Sequence, residues 1–281
     1  MILLTGATGT VGGEVARLLA ADHPLRILAR RPERVTVAGP AVDVVAGEYA
    51  DRDSLDRALK GVRAAFLVTG SIGERDDVRF VEAARAAGVR HLVKLSALAV
   101  ADPAADDLIT ARQRENETAV RESGLAWTLL RPRAFMTNTL SWARSVREDG
   151  VVRALYGDAP NATVDPRDIA EVAALALTEQ GAHEGRAYAL SGPAAVTAAE
   201  QTALLGAALG RPLRFEELGP ERARTALLAR YPQPVAEALL HSAERQRAGA
   251  KAEVSPTVQE LTGRPARSYA AWARDNAAAF A

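Results

Sequence analysis

The chain has 281 residues, 48% of them hydrophobic, and carries 35 basic and 35 acidic side chains but no cysteine. The charge balance excludes a protein drawn as a whole to nucleic acid or to an anionic membrane, and the missing cysteines exclude disulfides, thiolate metal sites and a cysteine nucleophile. Because a strand begins at Met1 and no run of about 18 apolar residues occurs, we expect a cytoplasmic protein without signal peptide or membrane span.

The most informative segment is the start of the chain, where a short apolar strand over residues 1–5 leads into a glycine-rich turn and an amphipathic helix. This order is typical of a dinucleotide-binding unit. Gly6 permits a tight turn, Gly9 lets the backbone approach a pyrophosphate, and Gly12 lets the helix lie close to the sheet. The first helical amides are expected to face the phosphates. The predicted cofactor-binding residues of this turn are Gly6, Thr8, Gly9, Thr10, Val11 and Gly12.

Strands and helices then alternate along the chain. Further strands are predicted at 25–29, 42–46, 64–68, 91–96 and 126–130, and helices at 54–61, 76–87 and 107–123, with Ser54 and Asp76 or Asp77 as N-caps. Such alternation indicates βαβ units. The predicted fold class is α/β, a Rossmann-type doubly wound parallel sheet with a smaller helix-rich C-terminal lobe.

The rhythm changes after Pro132. Helices are predicted at 137–147 and 166–178, a returning strand at 186–190, and mainly helical structure from 197 onward. We therefore expect an NADP-binding Rossmann domain over 1–153, to which 163–190 returns, and a smaller, mainly helical substrate-side lobe over 191–281. The substrate cleft is expected where the carboxyl ends of the strands face that lobe.

Arginines follow the second strand, where NAD-binding proteins carry an acidic residue for the ribose 2′-hydroxyl. Arg30 and Arg31 occupy this place, and a guanidinium there matches a 2′-phosphate. The sequence thus favours NADP (NADPH) as cofactor; the alternative is a solvated loop in an arginine-rich protein. Other predicted cofactor contacts follow the third to sixth strands: Glu48, Thr69, Gly70, Ser71, Ser96 and Pro132.

Candidates for the substrate side follow the sixth strand. Phe135, Asn138 and Trp142 are expected near the nicotinamide end, although Trp142 could equally be core. Ser96 either touches substrate or nicotinamide or satisfies loop amides. The four histidines show no metal-ligand spacing, so no metal site is expected. Charged residues of the helix over 107–123 are interpreted as its solvated face: Arg112, Arg114, Glu115, Glu117, Arg121 and Glu122.

With these residues placed, the chain resembles the NmrA-like family, an atypical branch of the short-chain dehydrogenase/reductase superfamily. The resemblance covers nearly the whole chain, through residues 5–12, 28–32, 87–96, 123–132, 165–170 and 261–268. It implies either an NAD(P)H-dependent reductase, as in the quinone and azo reductases of this group, or a catalytically silent NADP-binding regulator.

One part of the superfamily pattern is missing. The resemblance places Ser96 at the usual strand-end serine, but it places Ile109 and Gln113 where a Tyr-x-x-x-Lys pair would lie, and no tyrosine or lysine occurs between Ser96 and Gly124. Without that pair, simple carbonyl reduction lacks its proton donor. No catalytic residue is assigned.

The expected function is hydride transfer from NADPH to a quinone or a conjugated enone-type small molecule, whose reduced product water can protonate. The alternatives are an NADP(H)-sensing regulatory protein and a tailoring enzyme of secondary metabolism. We expect a small-molecule substrate, no contact with nucleic acid or membrane, and a monomer or homodimer. Abundant alanine and arginine with only three lysines, Lys60, Lys94 and Lys251, suggest a GC-rich bacterial genome.

Overall fold

Seven strands form the main sheet of the computed structural model, which describes residues 1–70 and 74–281. The strands are β1 (Ile2–Thr5), β2 (Leu25–Ala29), β3 (Val42–Ala46), β4 (Ala64–Leu67), β5 (His91–Leu95), β6 (Ala126–Pro132) and, after the separate strand β7 (Val151–Ala154), β8 (Arg186–Leu190). Their order is β3-β2-β1-β4-β5-β6-β8, and the neighbours from β3 to β6 pair in parallel. The predicted α/β class with a Rossmann-type parallel sheet is confirmed.

Helices connect these strands and make up most of the later chain. The α-helices are α1 (Thr10–Leu19), α2 (Arg52–Leu59), α3 (Asp76–Ala86), α4 (Leu108–Arg121), α5 (Ala143–Asp149), α6 (Pro166–Thr178), α7 (Ala198–Ala208), α8 (Pro220–Leu228), α9 (Gln233–Arg247), α10 (Thr257–Thr262) and α11 (Tyr269–Asp275). Short 3-10 helices cover Pro32–Arg34, Leu98–Ala101, Met136–Trp142 and Ala277–Ala279. Within the described ranges, no helix is both long and apolar enough to cross a membrane.

The main sheet is covered on both faces, as its continuous apolar strands require. In register, Leu3, Ala65 and Leu92 lie side by side and pack into one cluster with apolar residues of α2, α3 and α4. Because side chains alternate along a strand, Leu4 and Phe66 point to the other face, where α1 packs against α6. The central strands β1, β4 and β5 are almost wholly buried, which fixes their register, whereas the edge strand β3 is partly exposed.

The chain divides into two compact units. The first comprises Met1–Val100, Arg112–Pro132 and Pro166–Ala189, and the second Ala101–Ala111, Arg133–Asp165 and Leu190–Ala281. In the second unit, β7 pairs in parallel with β9 (Arg214–Glu217), and an apolar cluster forms around Tyr269, Trp272 and Phe280. Because β7 pairs with β9, residues 151–154 belong to the second unit; the predicted domain boundary at 153 stays a prediction.

Some local predictions need correction. Helix α2 begins earlier than expected, because the N-cap is Asp51, whose carboxylate accepts a hydrogen bond from the Ser54 amide. Neither Asp76 nor Asp77 caps α3; both lie in its first turn. The predicted helix over 137–147 is a 3-10 helix followed by α5, and two strands, β7 and β9, were not predicted at all.

A fully buried lysine connects β5 to α3 within the first unit. The Lys94 Nζ lies 2.9 Å from Asp77 Oδ1 and donates to Thr69 Oγ1 at 3.0 Å, while Thr69 donates to Asp77 Oδ2 at 2.6 Å. Lys94 is 0% and Asp77 3% exposed. Two opposite charges held out of water stabilise the fold only as a pair, because either one alone would be buried without compensation.

We predict that Lys94→Met or Asp77→Asn alone lowers the free energy of unfolding by about 3–5 kcal/mol, the cost of orphaning one buried partner. The double variant Lys94→Met/Asp77→Leu should lose clearly less than the sum, because it removes both charges. Urea unfolding of the three variants measures this. Asp56→Asn is the control, since the Asp56 pair with Arg52 is half-exposed and should cost at most about 1 kcal/mol. Additive losses in the double variant would contradict the prediction.

Candidate active site

The glycine-rich turn brings the start of α1 against the end of β1. Gly6 has a φ of +68°, in the left-handed region, and a Cβ there would lie 2.9 Å from Val68 Cβ. A Cβ on Gly12 would lie only 2.3 Å from the Gly6 carbonyl oxygen, so no larger residue fits. Gly9 is the N-cap of α1. The turn therefore directs the unpaired first amides of the helix towards a ligand, an arrangement that favours an anion.

A cavity of about 640 Å³ opens beyond the carboxyl ends of β1 to β4. Six residues predicted to bind cofactor line it: Gly6, Thr8, Gly9, Arg30, Glu48 and Gly70. Thr10 lines a neighbouring depression with Thr8 and Gly9. Val11 and Gly12 are buried inside α1, where they position the turn. Ser71 lies outside the described residues.

Arginines surround a second depression, of about 350 Å³, at the end of β2. It is lined by Thr8, Arg30, Arg31 and Arg34. Three guanidinium groups can together bind a phosphate through several charged hydrogen bonds. Arg34 was not singled out from the sequence; it belongs to this site because the 3-10 helix over Pro32–Arg34 turns it back towards the turn after β1.

A tyrosine absent from the predicted site also lines the main cavity. The Tyr49 hydroxyl donates to the Val68 carbonyl at 2.7 Å, and its ring packs edge-on against Phe80. Burial raises the pKa of Tyr49. Beside it, Thr5 Oγ1 accepts from the Val68 amide at 2.8 Å and donates to the Phe66 carbonyl. These contacts fix the backbone after β4, where the cofactor loop begins.

Ser96 is bound to a buried glutamate on α4. Its hydroxyl donates to Glu117 Oε1 at 2.6 Å, and Arg131 donates to both oxygens of the same carboxylate, at 2.8 and 2.5 Å. Burial alone would raise the pKa of Glu117, but hydrogen bonds from Arg131 and Ser96 outweigh it and hold that pKa below its usual value. Glu117 is 3% exposed, so its assignment to a solvated helix face was wrong.

Helix α4 carries Gln113 among its buried or half-buried residues. The Gln113 Oε1 is buried and has no hydrogen-bond partner among residues 1–70 and 74–281. An orphaned acceptor of this kind is suited to a hydroxyl donor on a ligand, such as a ribose hydroxyl. Thr69 is held by Asp77 and Lys94, and Pro132 ends β6.

The substrate-side candidates lie in the second unit. Phe135 forms an isolated bridge with Val164, and Asn138 is exposed. Trp142 packs against the apolar cluster around Trp272, which supports the core interpretation of this side chain. Their role in binding substrate stays a prediction.

The first unit fits a dinucleotide. Its glycine cradle leaves no space for a Cβ at Gly12, and this close approach is what a pyrophosphate above the first amides of α1 requires. The turn from Gly6 to Thr10 would hold the pyrophosphate. The arginines after β2 would hold the phosphate of the adenosine half, and Glu48 with Tyr49 would flank the adenine end of the cavity.

Comparison with known proteins defines the class. A family model described as NAD(P)H-binding matches residues 6–180, and the chain belongs to this family. The resemblance to the NmrA-like, atypical short-chain dehydrogenase/reductase branch is confirmed by its solved structural neighbours.

The relatives are reductases. The chain is 68% identical over 281 residues to a Streptomyces griseus protein, the (4-alkanoyl-5-oxo-2,5-dihydrofuran-3-yl)methyl phosphate reductase, covering 100% of this chain and 99% of that one. It is 38% identical over 285 residues to an NAD(P)H azoreductase of Xenophilus azovorans, with 100% and 99% covered. The NADPH-dependent quinone oxidoreductase of Escherichia coli, solved with NADPH, superposes with a TM-score of 0.85 at 28% identity, covering 98% and 99%. The chain is thus an NAD(P)H-dependent reductase.

Replacing Gly9 and replacing Gly12 should have different effects on NADPH binding and on stability. Gly9→Val should abolish NADPH binding yet leave the protein folded, because a Cβ there is 3.2 Å from the Gly6 oxygen and points where the pyrophosphate approaches. Gly12→Val should also lower the unfolding free energy, by about 1–3 kcal/mol, as overpacking does. Calorimetric titration and thermal unfolding test both. Normal NADPH binding by folded Gly9→Val would refute the assignment of the turn.

Proposed function

We propose that this chain reduces the ring double bond of an acylated butenolide phosphate, a conjugated enone-type substrate, with NADPH as hydride donor. The observation that carries the proposal is the 68% identity, over the whole chain, to a reductase whose name specifies a (4-alkanoyl-5-oxo-2,5-dihydrofuran-3-yl)methyl phosphate. The absence of a tyrosine and a lysine from α4 supports the same chemistry.

The chemistry of that substrate class explains why a side-chain acid is dispensable. Its ring double bond is conjugated with both the lactone carbonyl and the alkanoyl carbonyl. Bound NADPH would supply a hydride to carbon 3, and the electron pair of the double bond would move onto carbon 4 and its carbonyl oxygens. The resulting enolate is flanked by two carbonyls and is only weakly basic, so water protonates carbon 4 without a positioned acid. The product gains two hydrogens and the cofactor leaves oxidised.

In this proposal the protein's own residues position the cofactor and the substrate, and none of them protonates the product. The turn from Gly6 to Thr10 and the arginines after β2 hold the cofactor, and orientation alone can supply much of the barrier reduction. Two hydroxyls near this end of the sheet already donate within the protein: Ser96 donates to Glu117, and Tyr49 donates to the Val68 carbonyl. Gln113 Oε1 would accept from a ribose hydroxyl in place of the superfamily lysine.

We propose that the positively charged arginines after β2 select NADPH over NADH. The depression beside Thr8 is lined by three arginines, so a 2′-phosphate there gains charge-assisted hydrogen bonds that a 2′-hydroxyl cannot match. Arg30 is shared by this depression and by the main cavity, and we propose it as the principal contact.

Replacing Arg30 by Ala should weaken NADPH binding by about 1.5–3 kcal/mol, the range for hydrogen bonds to charged groups, and leave NADH binding nearly unchanged. Titration calorimetry of both nucleotides measures the difference. The control is Arg85→Ala, an exposed arginine on α3 that should alter neither affinity. Equal affinities of the unmodified protein for NADPH and NADH would contradict NADP selection.

Deuterium transfer tests the reaction. With NADPH deuterated at the transferring position, we expect an acylated butenolide phosphate to gain deuterium at carbon 3 and a solvent proton at carbon 4, by mass spectrometry and NMR. A naphthoquinone serves as a second activated acceptor and should also be reduced. Simple aldehydes and ketones give alkoxide products that need an acid. They should therefore be reduced at least about 100-fold more slowly than the two activated acceptors, because a positioned acid contributes about that factor.

Two outcomes would overturn the proposal. Deuterium on the alkanoyl carbon would mean ketone reduction and an acid that the structure has not revealed, with Tyr49 or Tyr156 as the first residues to replace. Tight NADPH binding without turnover of any acceptor would instead favour the NADP(H)-sensing protein.

A further inference from the structure

Three basic side chains converge inside the second unit, away from the arginines after β2. Arg133 is the first residue after β6, Arg245 lies on the last turns of α9, and Lys251 follows that helix. The Arg133 Nη1 donates to the Ala250 carbonyl at 3.3 Å, and the Lys251 Nζ donates to Ser242 Oγ at 2.8 Å, one helical turn before Arg245. All three side chains are partly buried rather than spread in solvent.

Several N–H groups of this cluster lack an acceptor. The Nε of Arg133 and both Nε and Nη1 of Arg245 are buried and have no hydrogen-bond partner in the part of the chain that the structure describes. Buried guanidinium donors are normally satisfied, because an unpaired one forfeits its solvation without return. Burial, together with the charges of Arg245 and Arg133, lowers the pKa of Lys251 to about 8.

The nearby carboxylates do not satisfy these donors. Asp102 pairs with the Nη2 of Arg245. Asp107 lies 3.9 Å from Nη1, beyond hydrogen-bonding distance, and its oxygens instead accept from the Thr110 amide and hydroxyl at 3.0 and 2.7 Å. The charges of Glu253 and Asp102 oppose the lowering of the Arg133 pKa that burial causes. The cluster thus retains three buried nitrogen donors without an acceptor on its two guanidinium groups, beside the ammonium group of Lys251.

We infer that Arg133, Arg245 and Lys251 form a binding site for a phosphate monoester, the phosphate group of the substrate. A monoester carries nearly two negative charges at neutral pH and three acceptor oxygens, enough for two guanidinium groups and an ammonium. The inference rests on the proposed function, since the name of the 68%-identical relative specifies a methyl phosphate. It adds which residues of this chain recognise that group. Arg133 directly follows β6, at whose carboxyl end ligands of open α/β sheets bind.

Binding of a simple ester tests the site without turnover. The probe is n-butyl phosphate, titrated calorimetrically into protein saturated with NADP⁺ so that the arginines of the nucleotide site are occupied. Inorganic phosphate and n-butanol are the comparison probes. Arg133→Gln and Lys251→Gln should each weaken n-butyl phosphate binding about 10- to 100-fold, the range for hydrogen bonds to charged groups. The matched control is Arg247→Gln, an exposed arginine of α9 that should bind the ester like the unmodified protein.

A kinetic comparison adds a readout that mere destabilisation would not reproduce. For the acylated butenolide phosphate, kcat/KM should fall about 10- to 100-fold in Lys251→Gln, whereas for the dephosphorylated alcohol it should stay unchanged. Equal losses on both substrates, ester binding unaffected by either variant, or inorganic phosphate binding as tightly as the ester would each overturn the site. If no butenolide is reduced but both variants still bind n-butyl phosphate more weakly, the phosphate site is supported and the proposed reaction is wrong.

Discussion

The contact between Gly12 and the Gly6 carbonyl is the constraint on which the nucleotide site depends. A Cβ at Gly12 would stand 2.3 Å from that oxygen, so α1 can begin directly over the end of β1 only because the side chain is absent. This approach leaves the first amides of α1 unpaired and exposed to a ligand. Thr8 lines a depression together with the arginines that follow β2, so the two proposed phosphate-binding regions would adjoin each other there.

The fold of the first unit was predictable because local and long-range preferences agree there. The central strands β1, β4 and β5 are short, mainly apolar runs that are almost wholly buried. Residues typical of turns follow them, so the hydrophobic pattern and the turn residues indicate the same boundaries. β7 and β9 escaped prediction for the opposite reason. Their charged residues, such as Arg153 and Glu216, are paired across the strands at 3.0 Å, and nothing local reveals that partner. The segment Met136–Trp142 is a 3-10 helix, and its first and last residues pack on the apolar cluster around Trp272.

The sequence predicts the residues of the candidate site that follow strand ends. It does not predict those that lie on a helix. Gly6, Gly9 and Arg30 are found by position alone, since parallel strands end at one edge. Glu117 lies in a run of alternating charges that fits a solvated face equally well. One signal could have found it: Glu117 is one turn before the buried Val120, so it shares the inward face of α4. Recognising its partners still required the fold, because Arg131 and Ser96 approach from two different strands.

Fully buried Lys94 and partly buried Lys251 show how the same charge can serve a structural or a binding role. Lys94 has a carboxylate at 2.9 Å and a threonine hydroxyl at 3.0 Å, so its charge is compensated within the protein. Lys251 has one hydroxyl, at 2.8 Å, and stands beside two further cations. Cations gathered without sufficient acceptors repel one another and weaken the fold, and a chain with only three lysines has no compositional reason to bury one there. A bound dianion removes both penalties at once, so the instability of the empty cluster becomes affinity and selectivity for a phosphorylated ligand.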